Sequence, residues 1–394
     1  MKSLKFLDFL FVIFFITLVI DFNRFGIPEN FQSVFKGGVI ALIILVFLIK
    51  WSQKPFKPKL SLFVKAFLAL VVVSLFYTVN FKESLTGIVV LFSTILLLLL
   101  ARRTFSLTKI FQLIRIACTC IILFSFCLYI FRSSSSYDFL QGKERFAGIT
   151  YGAHPLASIS VFFILITAIN YRFKLSTRFF VDNTMLLIAL LMITEADSRQ
   201  AVIGLVIALL FLVWHRINLL SKVFLFSFSI LTIIFISQGV EKEKFLKNQS
   251  RTSTSEEVTT LTGRTAIWLK SIEIIKNKPV LGNGYNAGQF ELENNYQTMH
   301  GWSTRSAHNF LLHTGLDLGL IGILLILYGV ISTFKAIYKF HSKLAFSILL
   351  YCLIISFVER GFAGGVNIYS FIFLLANLYI PNLNNHRLQD IHGK

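Results

Sequence analysis

Two arginines and a histidine in the second half of the chain carry the side chains best suited to chemistry. Arg199 lies at the junction of two apolar runs, Arg264 opens a helical pattern, and His308 stands where a long apolar run begins. A guanidinium donates two parallel hydrogen bonds, so a pair of arginines suits the oxygens of a diphosphate. Histidine is the usual general base near neutral pH. These residue types favour a site that holds a diphosphate beside a proton acceptor.

Each of these residues also has a structural explanation that the sequence leaves open. Arg199 could pair with Asp197 or Glu195, or extend its stem to the membrane surface. Arg264 on an interfacial helix could contact lipid headgroups. His308 could cap the following helix by bonding a free backbone group.

Four further residues are candidates for the same polar site: Arg145, His154, Arg305 and Asn309. Arg145 and His154 share the loop before the sixth apolar run, and Arg305 and Asn309 flank His308. We expect no metal site, because His308 and His313 are five residues apart and do not share a helix face. No paired acids suggest a metal either, and no cofactor is expected.

The elements that must position these residues are membrane helices. The chain is 55% hydrophobic and only 14% charged, and apolar runs long enough to cross a bilayer recur along nearly its whole length. The net charge of +19 lies mostly in short loops between these runs. We therefore predict an all-α integral membrane protein whose partners include membrane lipids and exclude nucleic acid.

Twelve apolar runs are predicted to span the membrane. They are Phe6–Ile20, Phe35–Ile49, Leu62–Val79, Gly87–Ala101, Ile110–Phe131, Pro155–Asn170, Phe179–Thr194, Ala201–Trp214, Val223–Ser237, Ala307–Ile331, Leu344–Val358 and Val366–Ile380. Lysine and arginine favour the loops on one side, so both termini are predicted to be cytoplasmic. The seventh and eighth runs are short for a hydrocarbon core of ~30 Å. Either the bilayer thins there, or the turn that carries Arg199 lies below the outer surface.

One large extracytoplasmic loop is predicted between the ninth and tenth spans. It divides the chain into residues 1–238 with nine spans, the loop over 239–306, three spans over 307–380 and a cytoplasmic tail over 381–394.

A short amphipathic helix is predicted inside this loop, from an N-cap at Thr262 to Pro279. Its apolar face is predicted to hold Arg264, Trp268, Ile272 and Ile275, which follow helical spacing. The glycines after it, Gly282, Gly284 and Gly288, are interpreted as turns.

Four groups of short motifs follow one another along the middle and C-terminal parts of the chain. They are Arg145-Phe-Ala-Gly148 with His154-Pro155, Asp197-Ser-Arg199-Gln200, Gly263-Arg264-x-x-x-Trp268 with Lys278-Pro-Val-Leu-Gly-Asn-Gly284, and His308-Asn309-x-x-Leu312 with Gly315, Gly319 and Gly322. This set, with a large loop between the ninth and tenth predicted spans, resembles the O-antigen ligase and O-antigen polymerase family of bacterial membrane glycosyltransferases. The first five spans resemble that family only in hydropathy.

The resemblance implies transfer of a glycan from an undecaprenyl-diphosphate carrier to an acceptor sugar hydroxyl, without a metal, at the periplasmic face of the bacterial inner membrane. By motif, Arg199 and Arg264 would hold the diphosphate, and His308 would accept the hydroxyl proton. The acceptor is the lipid A–core oligosaccharide in a ligase of lipopolysaccharide biosynthesis, and another carrier-linked repeat unit in a polymerase. The chain length and the single dominant loop favour a ligase.

Two other classes of protein are alternatives. A lipid-linked glycan flippase or a secondary transporter usually shows repeat symmetry and no large asymmetric outer loop, and neither expectation is met. A metal-dependent polyprenyl-phosphate sugar transferase would carry paired acids in the first outer loop, where Asp21 and Glu29 are well separated.

Overall fold

The computed structural model describes residues 6–53, 60–140, 143–172, 179–213, 264–297, 303–339, 343–362 and 365–379. They form helices joined by turns, with one small hairpin. The helices before the large loop are α1 (Phe6–Thr17), α2 (Glu29–Gln53), α3 (Leu62–Val73), α4 (Phe81–Thr104), α5 (Leu107–Ile130), α6 (Ala153–Arg172), α7 (Phe179–Glu195) and α8 (Arg199–Val213). The later ones are α9 (Arg264–Asn277), α10 (Gly288–Asn295), α11 (Phe310–Lys339), α12 (Lys343–Ser356) and α13 (Ile368–Tyr379).

Helices occupy eleven of the twelve predicted spans. The ninth span, Val223–Ser237, lies outside the described residues, as do the start of the large loop and the tail over 381–394. Four helices, α2, α4, α5 and α11, are long and apolar enough to cross a membrane by length and composition, and six shorter apolar helices accompany them. The fold is consistent with the predicted helical membrane protein, while the number of spans and their orientation stay predictions.

A hairpin that the sequence pattern did not predict precedes α6. Its strands, β1 (Tyr137–Leu140) and β2 (Lys143–Phe146), pair in antiparallel fashion with Asp138 opposite Arg145. Strands of four residues show too little alternation to stand out from a loop. Asp138 forms an ion pair with Arg24 of the segment between α1 and α2, and it accepts a hydrogen bond from the Ala153 N–H at 3.1 Å. The hairpin thereby fixes the N-terminal end of α6.

The helices α6, α8, α12 and α13 pack closely against one another. A Cβ on Gly204 of α8 would lie 2.8 Å from Tyr351 Cδ2 of α12, so only glycine allows this approach. The Tyr351 hydroxyl donates to Ser158 of α6 at 2.9 Å, and Ser158 is 2.6 Å from the hydroxyl of Tyr369 in α13. These buried hydroxyls satisfy one another and fix the relative register of three helices.

A break in α11 lies at Gly319, whose φ of +61° and ψ of −157° are not helical. The turn that follows α9 crosses the helix at this point. The Leu320 N–H donates to the Pro279 carbonyl at 2.8 Å, and a Cβ on Gly319 would clash with the Val280 carbonyl. Only glycine tolerates both this backbone conformation and this approach.

The same crossing depends on glycines in the turn. A Cβ on Gly282 would lie 2.6 Å from the Asp317 carbonyl, and the Gly284 N–H donates to that carbonyl at 2.8 Å. Gly282 and Gly284 lie in turns as predicted, whereas Gly288 begins α10 and donates to Asp317 Oδ1 at 2.9 Å. These contacts therefore hold together the turn, α10 and the part of α11 that precedes Gly319.

A helix is present where the amphipathic helix was predicted, but one member of its predicted face is wrong. The buried side chains of α9 are Ile267, Ser271 and Ile274, with Trp268 and Ile275 half-buried at the edge. Ile272 is 40% exposed. The face is rotated because α9 packs against α10 and α11 through the row that begins at Ile267. The predicted N-cap, Thr262, lies outside the described residues.

Candidate active site

Side chains from four separate segments converge on the carboxylate of Glu359, which lies just after α12. Its Oε1 accepts hydrogen bonds from Arg264 Nη2 at 2.8 Å and from Gln200 Nε2 at 3.1 Å. His308 Nδ1 lies 3.1 Å from Oε2, and His154 Nε2 lies 3.8 Å from Oε1. Three of the residues selected from the sequence therefore meet at a carboxylate that was not selected.

The ionised carboxylate of Glu359 determines which ring nitrogen of His308 carries the proton. Burial raises the pKa of Glu359, but the charges of His308, His154 and Arg264 and the hydrogen bond with His308 hold that pKa well below its usual range. An ionised carboxylate only accepts hydrogen bonds, so Nδ1 of His308 carries the proton that faces it. In the neutral ring this leaves Nε2 as the proton acceptor.

The residue that caps the N-terminus of α11 is Asn309, not His308. The helix α11 begins at Phe310, and Asn309 Oδ1 accepts from the N–H groups of Leu311 and Leu312 at 3.0 and 3.1 Å. Asn309 is thus the N-cap. His308 adopts a positive φ of 47°, which is uncommon outside glycine. Its ring is turned to Glu359 instead of to the helix.

His154 joins the motif that contains Arg199 to the rest of the site. It is the second residue of α6, and its Nδ1 lies 2.8 Å from Gln200 Nε2 and 3.0 Å from Ser198 Oγ. An amide nitrogen donates only, so Gln200 Nε2 donates to His154 Nδ1, and it donates its other hydrogen to Glu359 Oε1 at 3.1 Å.

Arg145 fixes the turn between α7 and α8. It is 4% exposed, and it donates to the Ala196 carbonyl through Nε at 3.1 Å and Nη2 at 2.8 Å. Nη2 also donates to the carbonyl of Asp197, a residue with a φ of +44°, at 3.3 Å. Nη1 lies 3.4 Å from His154 Nε2. Arg145 and His154 thus lie in one polar cluster.

In the described part of the chain, the other two arginines selected from the sequence are not among the groups that bond Glu359. Arg199 is the first residue of α8. Arg305 forms ion pairs with Glu293 at 2.7 Å and with Glu83 at 3.5 Å, and its side chain is 51% exposed. Two carboxylates therefore neutralise Arg305.

Helix ends add to the positive potential of this cluster. The helices α6, α8 and α11 all begin within it, and the positive end of a helix dipole favours an anion. The carboxylate of Glu359 faces two imidazoles and the Arg264 guanidinium. The arrangement can hold an anion beside a base. Within the described ranges, no group of three or more His, Cys, Asp or Glu side chains is arranged to hold a metal ion.

Sequence reasoning missed Glu359 and its neighbour Arg360. Both lie in the loop between the eleventh and twelfth predicted spans, in the sequence Glu359-Arg360-Gly361. Gly361 has a φ of +51°, and a Cβ there would clash with Ser356, so this turn requires glycine. Adjacent opposite charges before an obligatory glycine between two apolar runs are the signal that could have identified the site.

The described residues form an all-α protein that is consistent with a membrane protein, and its polar cluster surrounds Glu359 near the starts of three helices. Residues 184–327 match the family model described as O-antigen ligase. This match identifies the segment as part of the O-antigen ligase family and confirms the resemblance carried by the motifs. It includes Arg199, Arg264 and His308, while His154 and Glu359 lie outside it. A comparison with curated proteins finds no match for this chain.

Proposed function

We propose that this protein is an O-antigen ligase of lipopolysaccharide biosynthesis. It transfers a glycan from undecaprenyl diphosphate to a sugar hydroxyl of the lipid A–core, at the periplasmic face of the bacterial inner membrane. The observation that carries the proposal is the contact of both Arg264 and His308 with Glu359. A phosphate-binding group and a base are thereby held side by side, and the family match contains both.

The bond changes assign each residue a task. A bond forms between the acceptor oxygen and the anomeric carbon, and the bond between that carbon and the diphosphate breaks. His308 Nε2 accepts the hydroxyl proton. The diphosphate leaves with the bonding electron pair, and Arg264, with Arg199 at the start of α8, stabilises its negative charge.

Arg264 is oriented by two anchors. Nη1 donates to the Val358 carbonyl and Nη2 donates to Glu359. A guanidinium carries five N–H donors, so three remain for phosphate oxygens. Fixed cations of this kind supply charge stabilisation without reorganisation during the reaction. We therefore propose a metal-independent transfer that survives treatment with a chelator.

The runner-up proposal is a repeat-unit polymerase, which would use the same residues on another acceptor. The single dominant loop and the chain length favour the ligase. A flippase or transporter would use the arginines to hold the carrier but would have no use for a base paired with a carboxylate.

The test is transfer by purified protein carrying His308→Ala. Each reaction contains a carrier-linked glycan, with either lipid A–core or a second carrier-linked unit as acceptor. We expect transfer to lipid A–core to fall by roughly 10²–10⁴-fold, the usual contribution of general-base catalysis, while donor binding persists. His300→Ala, a histidine of the same predicted loop, serves as the control.

The product distinguishes the candidate functions. Elongated carrier-linked glycan with no ligated lipid A–core would establish the polymerase. Glycan that moves across vesicles without any transfer would establish a transporter. Loss of wild-type transfer on addition of a chelator would show that a metal takes part.

A further inference from the structure

We infer that Arg360 is a phosphate-binding residue of this site, in addition to the arginines selected from the sequence. The inference rests on the proposed function for the identity of its ligand, the phosphate oxygens of a lipid-linked donor.

Within the described residues, the guanidinium of Arg360 has no carboxylate at ion-pair distance. It is half-buried, and its hydrogen bond is donated by Nη1 to the neutral amide oxygen of Gln289 at 3.3 Å. Within the described part of the chain it forms no ion pair. By contrast, Arg264 pairs with Glu359, and Arg305 pairs with two carboxylates.

The acids near Arg360 are already engaged by other groups. The Nε2 of Gln289 faces Glu83 Oε2 at 3.5 Å, which fixes the amide with its oxygen towards Arg360. The charge of Glu83 is shared with Arg305. Asp317 is within electrostatic reach of Arg360, but its Oδ1 accepts the Gly288 N–H at 2.9 Å. Four of the five guanidinium donors are therefore available to a ligand.

Arg360 directly follows Glu359, the residue that contacts His308 and Arg264. The glycine turn at Gly361 fixes the geometry of the pair. A half-buried cation without a counter-ion is costly to keep, and an anionic ligand removes that cost. The planar fork of arginine fits two phosphate oxygens, so a diphosphate at Arg360 would lie next to the base.

Binding measurements on the full-length purified protein test the inference without requiring transfer. The probe is geranylgeranyl diphosphate, titrated against the wild type, Arg360→Gln and Arg360→Lys. We expect Arg360→Gln to weaken binding roughly 10-fold or more, as loss of a charge-assisted hydrogen bond predicts. Arg360→Lys keeps the charge without the fork and should lose less. Arg132→Gln, at an exposed arginine after α5, is the control and should bind as the wild type does.

An exchange of two side chains gives a sharper test. The double variant Glu83→Gln with Gln289→Glu keeps the net charge and the contact between these residues, but places the carboxylate beside Arg360. We expect the same loss of diphosphate affinity with an unchanged melting temperature, because Arg360 then has an internal counter-ion.

The outcomes distinguish a lipid-linked diphosphate from a lipid headgroup as the ligand of Arg360. They also distinguish failure of this inference from failure of the proposed function. A second titration compares nanodiscs of phosphatidylcholine with nanodiscs containing phosphatidylglycerol. If Arg360→Gln loses only the response to phosphatidylglycerol, the residue binds phosphate from a headgroup and the assignment to the donor is overturned. Unchanged diphosphate affinity in both Arg360→Gln and the exchange variant overturns the inference and leaves the proposed function intact. A wild type that binds no diphosphate contradicts both.

Discussion

Glu359 Oε2 and His308 Nδ1 lie 3.1 Å apart although 51 residues separate them in the chain. In the proposed mechanism, the carboxylate fixes the tautomer of the imidazole and supplies negative charge to the imidazolium that forms when His308 accepts a proton. In that mechanism Glu359 acts through His308, as a positioning residue.

Replacement of this carboxylate should therefore impair transfer more than donor binding. We expect Glu359→Gln to reduce transfer roughly 10²-fold or more, since an amide can present the wrong partner to the ring. Transfer rates and donor affinities, measured on the same purified variant, check this difference. Glu273→Gln on α9, where the carboxylate is 63% exposed, is the control. Equal losses of transfer and of donor binding would reduce Glu359 to a structural anchor of Arg264.

The pKa of Glu359 also predicts how stability depends on pH. Because that pKa is held well below its usual range in the folded state, ionised Glu359 stabilises the protein above the unfolded value of about 4.3. This stabilisation is lost only as the pH falls through the lower, folded value. The difference in melting temperature between wild type and Glu359→Gln should stay constant from about pH 7 to pH 5 and shrink below about pH 4. A difference that vanishes already near pH 6 would contradict the prediction.

Arg264→Lys tests whether the guanidinium fork is needed. Arginine bonds the Val358 carbonyl and Glu359 with two nitrogens, whereas a lysine ammonium is a single point of donation. We expect a loss of transfer of at least roughly 10-fold at normal protein abundance, given the strength of a charge-assisted hydrogen bond. Lys270→Arg on the same helix should leave transfer unchanged. Full activity of Arg264→Lys would mean that charge alone suffices.

Gly319→Ala tests the crossing at the break of α11. The backbone there is in a region open essentially to glycine, which costs other residues on the order of 1–3 kcal/mol, and the new Cβ would clash with Val280. We expect a lower melting temperature and a lower yield of folded protein. Gly37→Ala in α2, where a Cβ meets nothing within 4 Å, is the matched control and should be neutral or stabilising. Equal behaviour of the two variants would contradict the structure at this point.

The predicted membrane orientation is tested at two described positions. Reporter fusions at Lys339, the last residue of α11, should report the cytoplasm, and fusions at Gln297, after α10, should report the outside. The reason is the excess of lysine and arginine in the loops of one side. An externally accessible Lys339 would invert the face on which His308 lies.

The sequence predicted the cationic half of the site better than its anionic half. Arg264, His154 and His308 stand out because ionisable groups near apolar runs cost free energy in a membrane and often mark functional sites. Glu359 lies far along the chain from all three, and the contact that defines it exists only in the folded protein. Arg305 was predicted only as a further candidate, and its ion pairs with Glu293 and Glu83 could not be read from the sequence.

Hydropathy and helical spacing likewise predicted where the helices are, but not how closely their backbones and side chains pack against one another. Hydropathy located α11, and helical spacing located α9, but Ile272 was placed on the wrong face because the packing partner sets the rotation of a short helix. Gly282 reads as an ordinary turn in the sequence. Its second requirement, close contact with the α11 backbone, depends on a segment over thirty residues away.

The convergence on Glu359 also bears on the order in which the chain is made. The segments that carry His154, Gln200, Arg264 and His308 are all synthesised before Glu359, which follows α12. During synthesis these cationic and polar groups are therefore present before the Glu359 carboxylate, with which they form hydrogen bonds and ion pairs. A nascent chain cannot assemble the site until α12 and the turn after it have been made. Under the proposed function, a protein truncated before Glu359 would therefore be inert even where its lipid-linked donor is already present.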